Sequence, residues 1–228
     1  MRDCVRAAFI PTILGYEGRC YWLYLDNHKA ADGTLDPIVT TGVGNALFSL
    51  GEALALPWMK KDGSPAMPTD VEAEWNYVKT RTDLAEQGGF AFEHVTNLRL
   101  SDEAVDALIQ KRLSMNDTIL SSRFATYGTW PADAQLGVNS MAWAAGAKFR
   151  APKFDAHAHA LDFNGCAAEC GLHTARDAIN KLMFENAAHV IAAGAPLDVL
   201  HYPTSYVASA DTDPEELCSI ADDEDTKP

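Results

Sequence analysis

The stretch from Glu17 to Asn45 constrains the fold more than any other. Cys20 to Asp26 reads C-Y-W-L-Y-L-D, aromatic and apolar enough for a strand, and it ends on a carboxylate. Asn27 to Pro37 (N-H-K-A-A-D-G-T-L-D-P) carries the D-G and D-P punctuation of a turn or long hairpin loop. I-V-T-T-G-V-G-N then resumes β character and breaks at Gly42 and Gly44, two residues that allow tight backbone conformations and close approach of a ligand. Upstream, Ile10 to Arg19 reads as a short helix, with Pro11 near a helix start where its missing N–H costs least. Glu17 would then stand near a helix C-terminus, where the macrodipole disfavours a further negative charge, a setting for a raised carboxyl pKa. A helix end and a strand end, each with a carboxylate, would face each other across a cleft.

Hydrolysis of a glycosidic bond needs an acid to protonate the leaving oxygen and a second carboxylate to position water or stabilise positive charge. Glu17 and Asp26 fit those roles, and Thr40 or Thr41 could help hold the water. The pattern E-G-x5-Y-x-D, met by Glu17, Gly18, Tyr24 and Asp26, and the T-x-G-x-G of Thr40, Gly42 and Gly44 together resemble the catalytic signature of phage-type lysozymes, the endolysin muramidases. The resemblance implies Glu17 as general acid, Asp26 as the carboxylate that positions water, and Thr40 as the hydroxyl that shares that task. It further implies Tyr24, Thr41, Gly42, Gly44 and Asn45 as glycan contacts, peptidoglycan strands as the partner, and no metal or other cofactor. Two departures stand out: the segment between Asp26 and Thr40 is longer than the compact hairpin of that family, and Asn45 stands where the family usually has histidine. A lytic transglycosylase on the same fold, with Glu17 alone as acid then base, and a non-catalytic glycan-binding or virion component are the rival readings.

The 228 residues suit one domain or a domain with a modest second lobe, and 47% hydrophobic content is enough for a core without disulfides. The net charge of −14 argues against nucleic acid as a partner. Eight acids (Asp211, Asp213, Glu215, Glu216, Asp222 to Asp225) crowd the last eighteen residues against Lys227 alone, so 209–228 reads as a disordered acidic tail. Five scattered cysteines point to reduced thiols and a reducing cytoplasm, with one disulfide possible. No run is apolar enough to insert in a membrane, and Met1 to Ile10 is too short and polar for a signal peptide. An endolysin waiting in an infected host cell to act on the periplasmic wall fits this, as does an injected effector.

Along the chain, Ala46 to Leu56 reads as a helix or buried turn and Pro57 to Pro68 as a loop. Thr69 caps a helix with Glu72 at capping-box spacing and Val71, Trp75 and Val78 on its buried face. Phe90 to Leu98 reads as a loop that could touch substrate. Ser101 caps the next helix, with Val105, Leu108, Ile109, Leu113 and Met115 expected inside; a helix follows over Trp130 to Ala144, one or two more over Phe154 to Cys170, and a long one opens at Thr174 to Asp177. The expected architecture is α+β and lysozyme-like: a domain over 1–208, with a small β-containing lobe at about 16–60 beside the cleft and a helical lobe at about 69–205. His157, His159, Cys166, Cys170 and His173 place five soft ligands within seventeen residues. Their spacing matches no familiar zinc pattern, and buried thiols with surface histidines are the favoured reading.

Overall fold

The computed structural model describes residues 1–27, 36–172 and 176–207. Most of the expected loop after Asp26, His173 of the soft-ligand cluster, Thr174 and Ala175 at the expected start of the last helix, and the acidic tail lie outside the described residues. The fold is α+β, mostly helical with a small antiparallel sheet. Helix α1 (Asp3–Leu14) leads to β1 (Cys20–Asp26), β2 (Ile38–Gly42) and β3 (Asn45–Ala46), which form a sheet in that order. Short α2 (Leu50–Leu54) and strand β4 (Met59–Lys60) precede α3 (Pro68–Lys79) and α4 (Thr82–Ala85). A 3-10 turn (Gly89–Phe92) and β5 (Leu98–Arg99) then lead into α5 (Asp102–Arg123). The remainder is α6 (Ala132–Ala145), α7 (Pro152–His159), α8 (Phe163–Glu169) and α9 (Asp177–Ala192).

Several expected boundaries move. Helix α1 stops at Leu14 rather than reaching Arg19, and Pro11 sits inside it near the C-terminal end, where few turns remain for the missing N–H to interrupt. Helix α3 begins one residue before Thr69: Pro68 occupies its first turn, and the Asp70 carboxylate accepts from the Met67 N–H at 2.8 Å. The expected loop over 57–68 contains β4, which pairs with β5 as Met59 with Arg99 and Lys60 with Leu98. That ladder is too short to leave an alternation pattern in the sequence.

The apolar interior has two clusters. The first gathers β1, β2 and α3 with Val5 and Phe9 of α1; the second gathers Phe124, Trp130, Phe154, Phe163 and Cys166 among the C-terminal helices. Helix α5, 22 residues or about 33 Å long, runs between them, giving Val105, Ile109 and Leu113 to the first and Leu120 to the second. Its buried face follows helical spacing, and Met115 falls off that stripe to lie 57% exposed, against expectation. Helix α6 is buried on every side from Ala132 to Trp143. At Gly137 a side chain would sit 3.1 Å from the Phe184 ring, so this glycine lets α9 approach closely.

Helix α6 also carries polar groups into the interior. Gln135 donates to Tyr127 O at 2.8 Å and Asn139 donates to the Tyr127 hydroxyl at 2.7 Å. Asp133, with no exposed surface, accepts from Asn186 Nδ2 (3.0 Å) and from the N–H groups of His201 (2.9 Å) and Tyr202 (2.9 Å), which ties the segment after α9 to the core. Asp133→Ala removes the acceptor of the His201 and Tyr202 N–H groups and one of the two acceptors of Asn186 Nδ2, and a loss of roughly 2–4 kcal/mol in urea unfolding is expected.

Glu74 of α3 is likewise buried and accepts from the N–H groups of Asn97 and Leu98. Burial raises its pKa, and the backbone hydrogen bonds oppose that shift only in part. The folded protein therefore binds this proton more tightly than the unfolded chain does. Its contribution is present below the ordinary carboxylate range and is lost as pH rises through the raised value. Thermal melts at pH 4 and pH 7 should show Glu74→Gln gaining Tm relative to wild type as pH rises; a pH-independent difference would contradict this.

Candidate active site

The site grows out of the β1–β2 register. Tyr24 pairs with Thr40 and Asp26 with Ile38, so Tyr24, Asp26 and Thr40 point to one face of the sheet, with Asp26 and Thr40 as diagonal neighbours. A register irregularity between Cys20 and Tyr24 resets the alternation. Behind them, Gly42 (φ +65°) and Gly44 (φ +67°) make the tight return into β3. Asn45 staples that turn, its Oδ1 accepting from Val43 N at 3.2 Å and lying 3.0 Å from where a Gly42 side chain would begin. Thr41 is wholly buried, its hydroxyl 3.5 Å from Cys20 O.

Thr41 Oγ1 and Asn45 Oδ1, two of the groups expected against a glycan, make contacts within the hairpin. Gly44 is half-buried and faces Arg112, whose Nη1 donates to its carbonyl at 2.7 Å. Thr40 is 2% exposed and its hydroxyl donates to Ile38 O at 3.0 Å, which commits the proton and leaves the oxygen as an acceptor. Asp26 is exposed at the strand end.

Glu17 lies in the turn between α1 and β1, past the helix rather than on it, and is about one-third exposed. The segment is anchored on its far side by Arg19, which pairs with Asp102 and Asp106 on α5, both at 2.7 Å. The Glu17 carboxylate forms an ion pair with Arg176, the residue that begins α9. Arg176 is almost entirely buried and also reaches Ser140 O on α6 at 3.4 Å. Burial lowers its pKa, with the Glu17 charge acting against that shift.

Arg112 of α5 is the second cation here. It donates to Gly44 O in the hairpin and to Trp143 O on α6, each at 2.7 Å, and its guanidinium lies 4.1 Å over the Trp143 ring. Burial lowers its pKa, while Glu17 pushes it up. Burial pushes the Tyr24 phenol far above its ordinary range, with Cys20, Asp26 and Glu17 adding to the shift and Arg112 opposing it. Glu17, Asp26, Tyr24 and Arg112 therefore share one electrostatic neighbourhood. Neither arginine stands out in the sequence, because each is separated from the hairpin by a long stretch of chain and belongs to no local motif.

A recess of about 490 Å³ adjoins this region through Gly15 and Tyr16, with Tyr202 and Pro203 on its other wall. A larger groove of about 690 Å³, lined by Ile119, Lys148, Phe149 and Arg150 among others, contains none of the site residues. Among the described residues no group of three or more His, Cys, Asp or Glu is arranged to hold a metal ion. Cys166 and Cys170 are buried, their thiols pushed up by burial to about 12 and about 11, and His157 pairs with Asp162 at 2.8 Å. Cys4, Cys20, Cys166 and Cys170 are free thiols. No helix among the described residues is long and apolar enough to cross a membrane.

Arg112→Met keeps much of the stem but leaves the carbonyls of Gly44 and Trp143 without their charged donor. The expected cost is roughly 2–4 kcal/mol in denaturant unfolding, with faster amide exchange at Val43 to Asn45; Arg112→Lys should recover only part of it. No protein-family model matches the chain, and no curated protein and no solved structure is similar enough to it to count as a match.

Proposed function

We propose that this protein is a peptidoglycan-cleaving glycoside hydrolase, a lysozyme-like muramidase acting on the β-1,4 bond between N-acetylmuramic acid and N-acetylglucosamine. The observation that carries the reading is the β1–β2 register, which makes Asp26 and Thr40 diagonal neighbours on the face that holds Tyr24. Glu17 would hand its proton to the leaving oxygen. Asp26, exposed, would direct water at the opposite face of the sugar, with Thr40 taking a lesser share of that task because it is 2% exposed. This is inverting chemistry, which places the two carboxyls about 6.5–9.5 Å apart. The Glu17 carboxylate is ion-paired with Arg176, so the cycle requires it to leave that contact and take up a proton from solvent before it protonates the glycosidic oxygen.

One observation favours a second reading. Thr40 is buried and bonded to Ile38, which makes it a poor water ligand. A transglycosylase needs no such water, because Glu17 serves as acid then base and the muramic acid's own hydroxyl attacks. Mass spectrometry of fragments released from purified peptidoglycan separates the cases. Reducing muropeptides from wild type, a loss of about 10²–10⁴ in rate for Glu17→Gln and a comparable loss for Asp26→Asn are expected. Anhydro products with Asp26→Asn still active would establish the transglycosylase. No release by wild type would sink both.

A further inference from the structure

We infer that Phe90 is a stacking platform for a pyranose ring of the glycan held at Glu17, an inference that rests on the reading of this site as a glycan cleft. The turn Gly89–Phe92 is seated firmly on β1. Trp22 Nε1 donates to Gly89 O at 2.8 Å, Gly89 packs so closely that a side chain there would lie 3.0–3.2 Å from Tyr24 ring atoms, and Phe92 is fully buried. Phe90, fixed between these anchors, is nevertheless 59% exposed.

Its surroundings orient it rather than cover it. The Trp22 ring meets it edge-on, with centroids 5.9 Å apart and planes at 69°. Gly18 lies so close to it that a side chain there would come within 2.6 Å of the Phe90 ring. Gly18 directly follows Glu17 in the chain, so the exposed aromatic surface borders the proposed acid. A preorganised ring of this kind loses little entropy on binding. The ligand chemistry that fits is a neutral pyranose: one face of such a ring presents C–H groups that pack on an aromatic surface, while its hydroxyl and amide rim stays free for polar partners. The segment that supplies Phe90 also brings the acid's neighbour, Gly18, against the ring, so a sugar stacked there would lie close to the proposed acid.

The test is titration calorimetry with the chitin tetrasaccharide on wild type, Phe90→Ala and Phe90→Trp, with thermal melts of all three. The expected result is binding by wild type and Phe90→Trp and a loss of about tenfold in affinity for Phe90→Ala at unchanged Tm. On peptidoglycan the same alanine variant should raise KM while leaving kcat close to wild type. Equal affinity of wild type and Phe90→Ala would overturn the stacking role and leave the glycan cleft standing. A wild type that binds no tetrasaccharide would overturn the cleft and the platform together.

Discussion

The burial of α6 on every side is the constraint on which the rest of the structure depends. A helix enclosed this way must find partners for its polar side chains internally: Asp133 and Gln135 bind the neighbouring loops, and Asn139 donates to the Tyr127 hydroxyl while its Oδ1 has no partner among the described residues. The same helix offers Ser140 O to Arg176 and Trp143 O to Arg112. The two cations near Glu17 are therefore held from the core outward. Close contact with α9 at Gly137 is what brings the start of α9, and with it Arg176, within reach of the turn after α1.

The electrostatics of the region run against those of the chain. A protein with a net charge of −14 places two largely buried arginines around one glutamate. Burying a guanidinium is costly unless every donor finds an acceptor. Arg112 offsets part of that cost by giving two of its N–H groups to carbonyls, one from the hairpin and the other from α6, and by lying over the Trp143 face. It thereby links the sheet to the helices at the point where the candidate acid, the Tyr24 phenol and the hairpin turn meet. The proposed chemistry draws on that link, since a carboxyl pair is useful only if the elements bearing its two members are held in register.

Much of the fold was legible in the chain. Strand β1 spans the aromatic run as read, Ser101 caps α5 as read, and Val71, Trp75 and Val78 are buried as their spacing requires. What was not legible fails for identifiable reasons. Helix α1 ends early because local propensity does not specify where a turn begins before a strand. The β4–β5 ladder is two residues deep, below the length at which alternation is detectable. Thr41 is wholly buried and Asn45 Oδ1 accepts from the Val43 N–H, contacts that only the three-dimensional hairpin reveals.

The sequence by itself determined the local pieces: an apolar strand ending at Asp26, a glycine-broken return at Gly42 and Gly44, amphipathic helices, and a carboxylate just ahead of the strand. Periodicity, capping and turn chemistry act over a few residues, so they can be read from one chain. The tertiary structure decided which side chains share a face and which charges meet. Asp26 and Thr40 become neighbours through a pairing register, and Glu17 meets Arg176 across 159 positions because α6 and α9 pack closely. Contacts of that separation arise from packing, and packing is a property of the whole interior rather than of any segment.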